Sequence, residues 1–275
     1  MSRGLLATLM AVLALATAAA PAGASDSRAD WTLDGVRCSL IEVPSATSVG
    51  TGACDGVRPG ALVESEKGFC SFNFLFNGAD GNRYIGTAGH CILGDDAFGG
   101  DAGERSWAAG SGPVAKDGDG NRIGEFAYAV LQDPKDFALI RLDAGVAASP
   151  QMCHFGGPTG TNSDHSAATT VLEHFGNGVG VGDVLPARSA VALGMPDPDH
   201  VYAEGAVVPG DSGSGIISGD GRAVGVIVTT GLHTGSIGTS GVDAGTMGVT
   251  RLAPQVSRAQ QVLGTSLALR TAGKL

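Results

Sequence analysis

Hydrophobic residues in this chain come in short runs with a two-residue period, each broken by a cluster of Asp, Gly and Asn. From Phe69 to Phe76, Cys70, Phe72, Phe74 and Phe76 share one parity while Phe69, Ser71, Asn73 and Leu75 take the other, so a strand here carries its aromatics mostly on one face. Asp80-Gly81-Asn82 then supplies turn chemistry before a second short strand, Arg83 to Thr87, which makes a hairpin. The device recurs: Asp119-Gly120-Asn121 precedes an apolar run from Arg122 to Leu131, and Asp220-Gly221 separates SGIIS from the run Arg222 to Thr230. Such turns between β-branched and aromatic flanks predict antiparallel strands rather than crossover helices. The middle of the chain, 150–198, is rich in Gly, Ser and Thr around one strand signal, Thr169 to Phe175. It contains the link between two halves of the fold. Only LAPQVSRAQQVLG, Leu252 to Gly264, changes period, with Pro254 at a helix start, Val256, Ala259 and Leu263 at helical spacing and a closing glycine.

Composition agrees with an all-β chain. Of 275 residues 45 are glycine, without a fixed period, which fits many tight turns and excludes a collagen-like repeat. Residues 1–24 have the form of a secretory signal: one cation at Arg3, an apolar run from Leu5 to Ala20 and a small-residue cleavage site at Ala22-Gly23-Ala24. The run is alanine-rich and shorter than the roughly 20 residues a spanning helix needs, so the expectation is cleavage near Ser25 and secretion without a membrane anchor. Residues 25–67 then form an N-terminal extension without long periodicity, which packs on or precedes the main domain. The formal charge of −10 repels phosphate backbones and no basic cluster opposes it, which excludes nucleic acid as a partner.

The five cysteines, Cys38, Cys54, Cys70, Cys91 and Cys153, show no CxxC spacing, so zinc is not expected. Cys38 and Cys54 are close in the extension and form its most natural pair, leaving Cys153 free; alternatively Cys153 tethers the extension to the domain. Asp117, Asp119 and Asn121 are spaced like a calcium loop, but Arg122 stands where such a loop requires glycine. No metal or cofactor is expected.

Three segments carry chemistry. PGDSGSG, Pro209 to Gly215, holds a serine among glycines; TAGHC, Thr87 to Cys91, offers a histidine; DFALIRL, Asp136 to Leu142, offers a carboxylate on a strand. A neutral serine hydroxyl is a poor nucleophile, an imidazole with a pKa near 6.5 can take its proton at working pH, and a carboxylate can fix the imidazole's tautomer. The other histidines, His154, His165, His174, His200 and His233, have no such companions and read as structural or exposed.

TAGHC, DFALI and GDSGS, in the order His90, Asp136, Ser212, resemble the triad segments of the chymotrypsin-like (trypsin-like) serine proteases. The stretch CSFNF…YIGTAGHC is most similar to bacterial secreted, streptogrisin-like members. The resemblance spans Gly68 to Thr230 and is concentrated in the three motifs. It implies a protease domain over 68–275, made of two six-stranded antiparallel β-barrels with a C-terminal helix and linked near 145–168. It implies catalysis by His90, Asp136 and Ser212, an oxyanion hole from the N–H groups of Gly210 and Ser212, and a Cys70–Cys91 disulfide bracing the histidine loop. The activity implied is that of a secreted, monomeric serine endopeptidase acting on protein or peptide substrates through an acyl-enzyme. An esterase would share this chemistry. A catalytically silent relative, binding an extracellular partner, is the alternative, which the intact triad opposes.

Two departures from the family pattern matter. Of the residues matching the primary specificity pocket, Ala206, Val228 and Thr229, the first stands where an aspartate would select cationic side chains, so uncharged residues are expected on the acyl side of the cleaved bond. Digestive members pair the acid before the nucleophile, here Asp211, with a new N-terminus, but no basic residue precedes an IVGG-like start. An arginine takes that role in bacterial members, and the sequence does not say which one here. Gly213-Ser214 also replaces the commoner double glycine.

Overall fold

The computed structural model describes residues 30–33, 36–39, 54, 56–94, 102–132, 135–162, 170–177, 187–207, 209–232 and 242–275. The expected signal segment lies outside these residues. The chain divides into units 1–41 and 42–275. In the first, Asp30–Leu33 (β1) and Val36–Ser39 (β2) pair antiparallel, with Trp31 opposite Cys38.

The second unit begins with eight strands: β3 (Leu62–Ser65), β4 (Gly68–Ser71), β5 (Leu75–Gly78), β6 (Arg83–Thr87), β7 (Gly103–Ser106), β8 (Val114–Asp117), β9 (Arg122–Gln132) and β10 (Lys135–Leu142). There follow β11 (Gly160–Thr161), β12 (Val171–Phe175), β13 (Ala187–Asp197), β14 (His200–Gly205), β15 (Gly215–Ser218), β16 (Arg222–Leu232) and β17 (Val242–Arg251). A helix, Leu252–Leu263, and a last strand, β18 (Leu267–Leu269), complete it. The first sheet runs β18-β5-β6-β10-β9-β8-β3-β4, with β7 also on β9. The second runs β16-β15-β12-β13-β14-β17, and β17 returns to pair with β16, which closes a six-stranded barrel. Together with the C-terminal helix this is the chymotrypsin-like double-barrel architecture. No helix among the described residues is long and apolar enough to cross a membrane.

The expected hairpins form. In the first, Gly81 takes φ 82°, and Asp80 accepts bonds from the N–H of Asn82 (3.1 Å) and the hydroxyl of Tyr84 (2.6 Å), so the turn is tied to the strand that follows it. Asp117 binds the N–H of Asn121 at 2.9 Å in the second turn, which is therefore an Asx-closed hairpin between β8 and β9. The expected continuous strand from Phe69 to Phe76 is instead split. Phe72 N–H bonds to Ala61 O (2.8 Å), whereas Asn73 N–H bonds to Gly86 O (2.8 Å), so the chain changes neighbours in the middle. Alternation does not hold through the bend: every residue from Cys70 to Phe76 is buried, Ser71, Asn73 and Leu75 included, while Phe69 is 61% exposed. Leu62–Ser65, within the sequence-defined extension, pairs with β4 and β8 and belongs to the first barrel.

The C-terminal helix spans Leu252–Leu263 and ends at Gly264 in the left-handed conformation (φ 65°), as the closing glycine predicts. It buries Leu252, Gln255 and Ala259, with Val256 and Leu263 packed at the edge of the core. Two disulfides are present among the described residues. Cys70 and Cys91 are joined, with Cα atoms 6.2 Å apart. The Cys38–Cys54 pairing is corrected, because Cys54 bonds Cys153, with Cα atoms 5.7 Å apart. Nearness in sequence misled there: the fold brings Cys153 beside Pro59, whose carbonyl accepts the Cys153 N–H at 3.2 Å. That bridge closes a separation of 99 residues, for which chain entropy predicts a stabilisation of about 4 to 5 kcal/mol.

Among the described residues of the second barrel one histidine is buried. His174 on β12 is fully buried opposite Arg188 on β13. Burial first, and the positive charge of Arg188 second, push its pKa down to about 3. Between that value and the ordinary 6.5 the unfolded chain binds a proton at this side chain that the folded chain does not, so folding stability falls as pH drops through this window. Thermal unfolding of the protein is expected to lose about 1.4 kcal/mol per pH unit from this group alone below pH 6.5. His174→Leu should flatten that acid limb; identical limbs in both proteins, measured by calorimetry from pH 7 to pH 3.5, would contradict the assignment.

Candidate active site

The strand pairing explains how two of the predicted residues meet. β6 and β10 are antiparallel, with Thr87 opposite Ala138. His90 follows the end of β6 and Asp136 lies at the start of β10, so both sit at the same edge of the sheet although they are 46 positions apart in sequence. His90 opens a four-residue helix, His90–Leu93, whose Cys91 is anchored by the disulfide to Cys70.

His90 and Asp136 make two bonds. The His90 backbone N–H donates to Asp136 Oδ1 (2.9 Å), and Nδ1 meets Oδ2 at 2.7 Å. The carboxylate thereby grips both the backbone and the ring, which leaves the ring little freedom to turn. Burial lowers the pKa of the imidazole, but the charge of Asp136 and its hydrogen bond outweigh burial and hold it above the ordinary histidine value. Gly89 allows this approach: a Cβ there would run into Val130 O and lie 3.1 Å from Asp136 Oδ1. Across the barrel boundary, Thr250 Oγ1 donates to Asp136 O at 3.3 Å.

Ser212 lies on the turn before β15, with Gly210 at φ 101° and Ser214 N–H bonded to Asp211 O (2.9 Å). Its segment is held against the first barrel through the backbone. Ser71 N–H donates to Ser212 O (2.8 Å), and Gly213 packs so closely on the Thr87–Ala88 segment that a Cβ would fall 2.9 Å from Ala88 N. The nucleophile candidate is thus one residue from a contact with the strand that leads into His90. The hydrogen bonds of His90 itself run to Asp136. No hydrogen bond among the described residues takes up the N–H of Gly210 or Ser212.

Asp211 is fully buried and receives the guanidinium of Arg188 as a two-pronged fork, Nη1 to Oδ2 and Nη2 to Oδ1, both 2.6 Å. Arg188 is the arginine that the sequence left unnamed. It also donates to Gly176 O (3.2 Å) and Ala206 O (3.3 Å), so one cation gathers three segments of the second barrel. The available signal was a lone arginine in the strand-like run ARSAVALG, in line with Ala190 and Ala192, which are also buried. Gly176 has to be small because a Cβ there would strike Asp211 Oδ1 and lie 2.7 Å from Ser214 Oγ. Of the expected pocket residues, Ala206 is exposed and Val228 is half-buried against the core; the side chain of Thr229 lies outside the described ones. Cys70, His90 and Cys91 cluster closely, but the two sulfurs are bonded to each other and so offer no thiolate as a ligand.

No protein-family profile matches the chain, and no curated protein matches it by sequence. Solved structures do match. The crystal structure of Thermobifida fusca protease A aligns with 78% of this chain and 99% of its own at a TM-score of 0.50 and 16% identity. Nocardiopsis protease aligns over 78% and 98% (TM-score 0.49, 19% identity), and the chymotrypsin of Cellulomonas bogoriensis over 78% and 98% (TM-score 0.48, 19% identity). At such identities what is shared is the fold, and the chain has the double-barrel fold of the bacterial chymotrypsin-like serine proteases.

Proposed function

We propose that the protein is a secreted serine endopeptidase. The observation that carries this reading is the 2.7 Å contact between His90 Nδ1 and Asp136 Oδ2. An imidazole whose Nδ1–H donates a hydrogen bond to a carboxylate presents a bare Nε2 as a base. Ser212 Oγ attacks the scissile carbonyl carbon while its proton passes to Nε2 of His90, and the oxyanion is received by the N–H groups of Gly210 and Ser212. The imidazolium then returns that proton to the departing amine as the C–N bond breaks. Water then attacks the acyl carbon while its proton passes to Nε2 of His90, and His90 returns a proton to Ser212 Oγ as the ester C–O bond breaks and the acid is freed. Asp136 keeps the ring in one tautomer and stabilises the transient cation.

The two disulfides support export to an oxidising compartment, in keeping with the signal-like residues 1–24. Ala206 supports a preference for uncharged residues at the acyl side of the cleaved bond. It offers no carboxylate, and the nearby Arg188 and Asp211 are already paired with each other, so an entering Lys or Arg would find no anion to pair with there.

A fluorophosphonate probe is expected to label the protein, and Ser212→Ala to abolish labelling and peptide hydrolysis without loss of folding. Absence of labelling in the folded wild type would overturn the reading.

The base has to be neutral to accept a proton, so kcat/KM should fall as pH drops through a histidine pKa lying above the ordinary 6.5. Asp136→Asn is expected to lower kcat by about 10⁴-fold and to move that midpoint downward, read from pH–rate profiles.

In a series of peptide amides differing only at the residue before the cleaved bond, uncharged residues should exceed Arg and Lys by about 100-fold or more in kcat/KM. Equal turnover of Arg substrates would remove the assigned role of Ala206.

A further inference from the structure

Ser71 is fully buried at the end of β4, one position after the disulfide-bonded Cys70. Its hydroxyl accepts the N–H of Asn177 at 3.1 Å and lies 3.0 Å from Gly210 O. A serine hydroxyl has a single proton. Because the Asn177 N–H must be the donor in the first contact, that proton is available to the carbonyl of Gly210, and both neighbours are satisfied. The backbone N–H of the same residue donates to Ser212 O at 2.8 Å. One residue of the first barrel therefore holds the carbonyls at both ends of the Gly210–Ser212 turn.

The consequence is geometrical. Gly210 sits at φ 101°, a conformation that residues with a side chain rarely adopt. Nothing in its own side chain restrains it. The Gly210 carbonyl belongs to the Gly210–Asp211 peptide, which lies between the plane bearing the Gly210 N–H and the plane bearing the Ser212 N–H, so anchoring it to β4 restrains the linkage the two donors share. Asn177 is held in turn, since its Nδ2 donates to Gly60 O at 2.5 Å. The anchor is thus itself braced from both barrels.

We infer that Ser71 is a positioning residue for the oxyanion hole, its hydroxyl fixing the Gly210–Asp211 peptide plane that links the two N–H donors and so limiting their rotation before substrate arrives. This rests on the proposed endopeptidase reading. Donors arranged in advance act on the transition state and add little to ground-state binding, so the loss should appear in kcat.

Ser71→Ala is expected to lower kcat by about 30-fold, less than removal of a whole donor, with KM changed by no more than about twofold. Inhibition by a peptide boronate, whose tetrahedral adduct places an oxygen in the hole, should weaken by a similar factor. Ser71→Thr, which keeps the hydroxyl, should recover most of both. If Ser71→Ala does not fold, Ser71→Thr and Ser71→Val supply the comparison, being alike in shape and differing in the hydroxyl. Unchanged kcat in the Ala variant, equal kcat in Thr and Val, or a loss confined to KM would each overturn the inference while leaving the endopeptidase reading intact. A wild-type protein that neither hydrolyses peptides nor takes the fluorophosphonate probe would overturn both.

Discussion

The carboxylate of Asp211 has no access to water and cannot remain charged there without a partner. Arg188 meets it with two parallel hydrogen bonds, the geometry in which a guanidinium binds a carboxylate best. The turn carrying Ser212 is built around that pair. Its acid points inward to Arg188, so the neighbouring backbone is forced outward, toward the first barrel. Gly176 and Gly213 are the points at which the surrounding chain comes too close for any side chain. Desolvation offsets much of the attraction within such a buried pair, whereas removing one partner alone would leave an uncompensated buried charge.

The rest of the site is assembled by the meeting of two sheets. Antiparallel pairing of β6 with β10 brings His90 and Asp136 together within the first barrel. The second barrel reaches across with Thr250 to the backbone of Asp136, and with the Ser212 turn to Ser71 and Thr87–Ala88. Gly215, the first residue of β15, lies against the Phe74 ring, so apolar packing continues the same boundary. Each proposed catalytic group is thus fixed by its own barrel and aligned by contacts with the other. His174 lies outside this machinery as a neutral group beside Arg188, and its burial makes the second barrel sensitive to acid.

Much of this was legible from local pattern. Turn chemistry at Asp80-Gly81 and Asp220-Gly221 marked hairpins because glycine and aspartate act within a few residues of themselves. The C-terminal helix was legible from its period and its closing Gly264. The bend at Phe72–Phe74 was not, since alternation reports which side of a strand a residue occupies but not which neighbour the strand pairs with. Nor was the Cys54–Cys153 bridge, whose partners are 99 positions apart and meet only once the loop around Pro59 has folded.

The amino-acid sequence by itself determined the all-β class, the hairpins, the helix and the three motifs that hold His90, Asp136 and Ser212, because each is written in residues adjacent along the chain. Tertiary structure alone decided that Arg188 answers Asp211 and that Ser71 grips the Gly210–Ser212 turn. Those partners are ordinary residues in ordinary strands. Their roles arise from strand register and from the closing of one barrel on the other, which place a donor within 3 Å of an acceptor more than twenty or more than a hundred positions away.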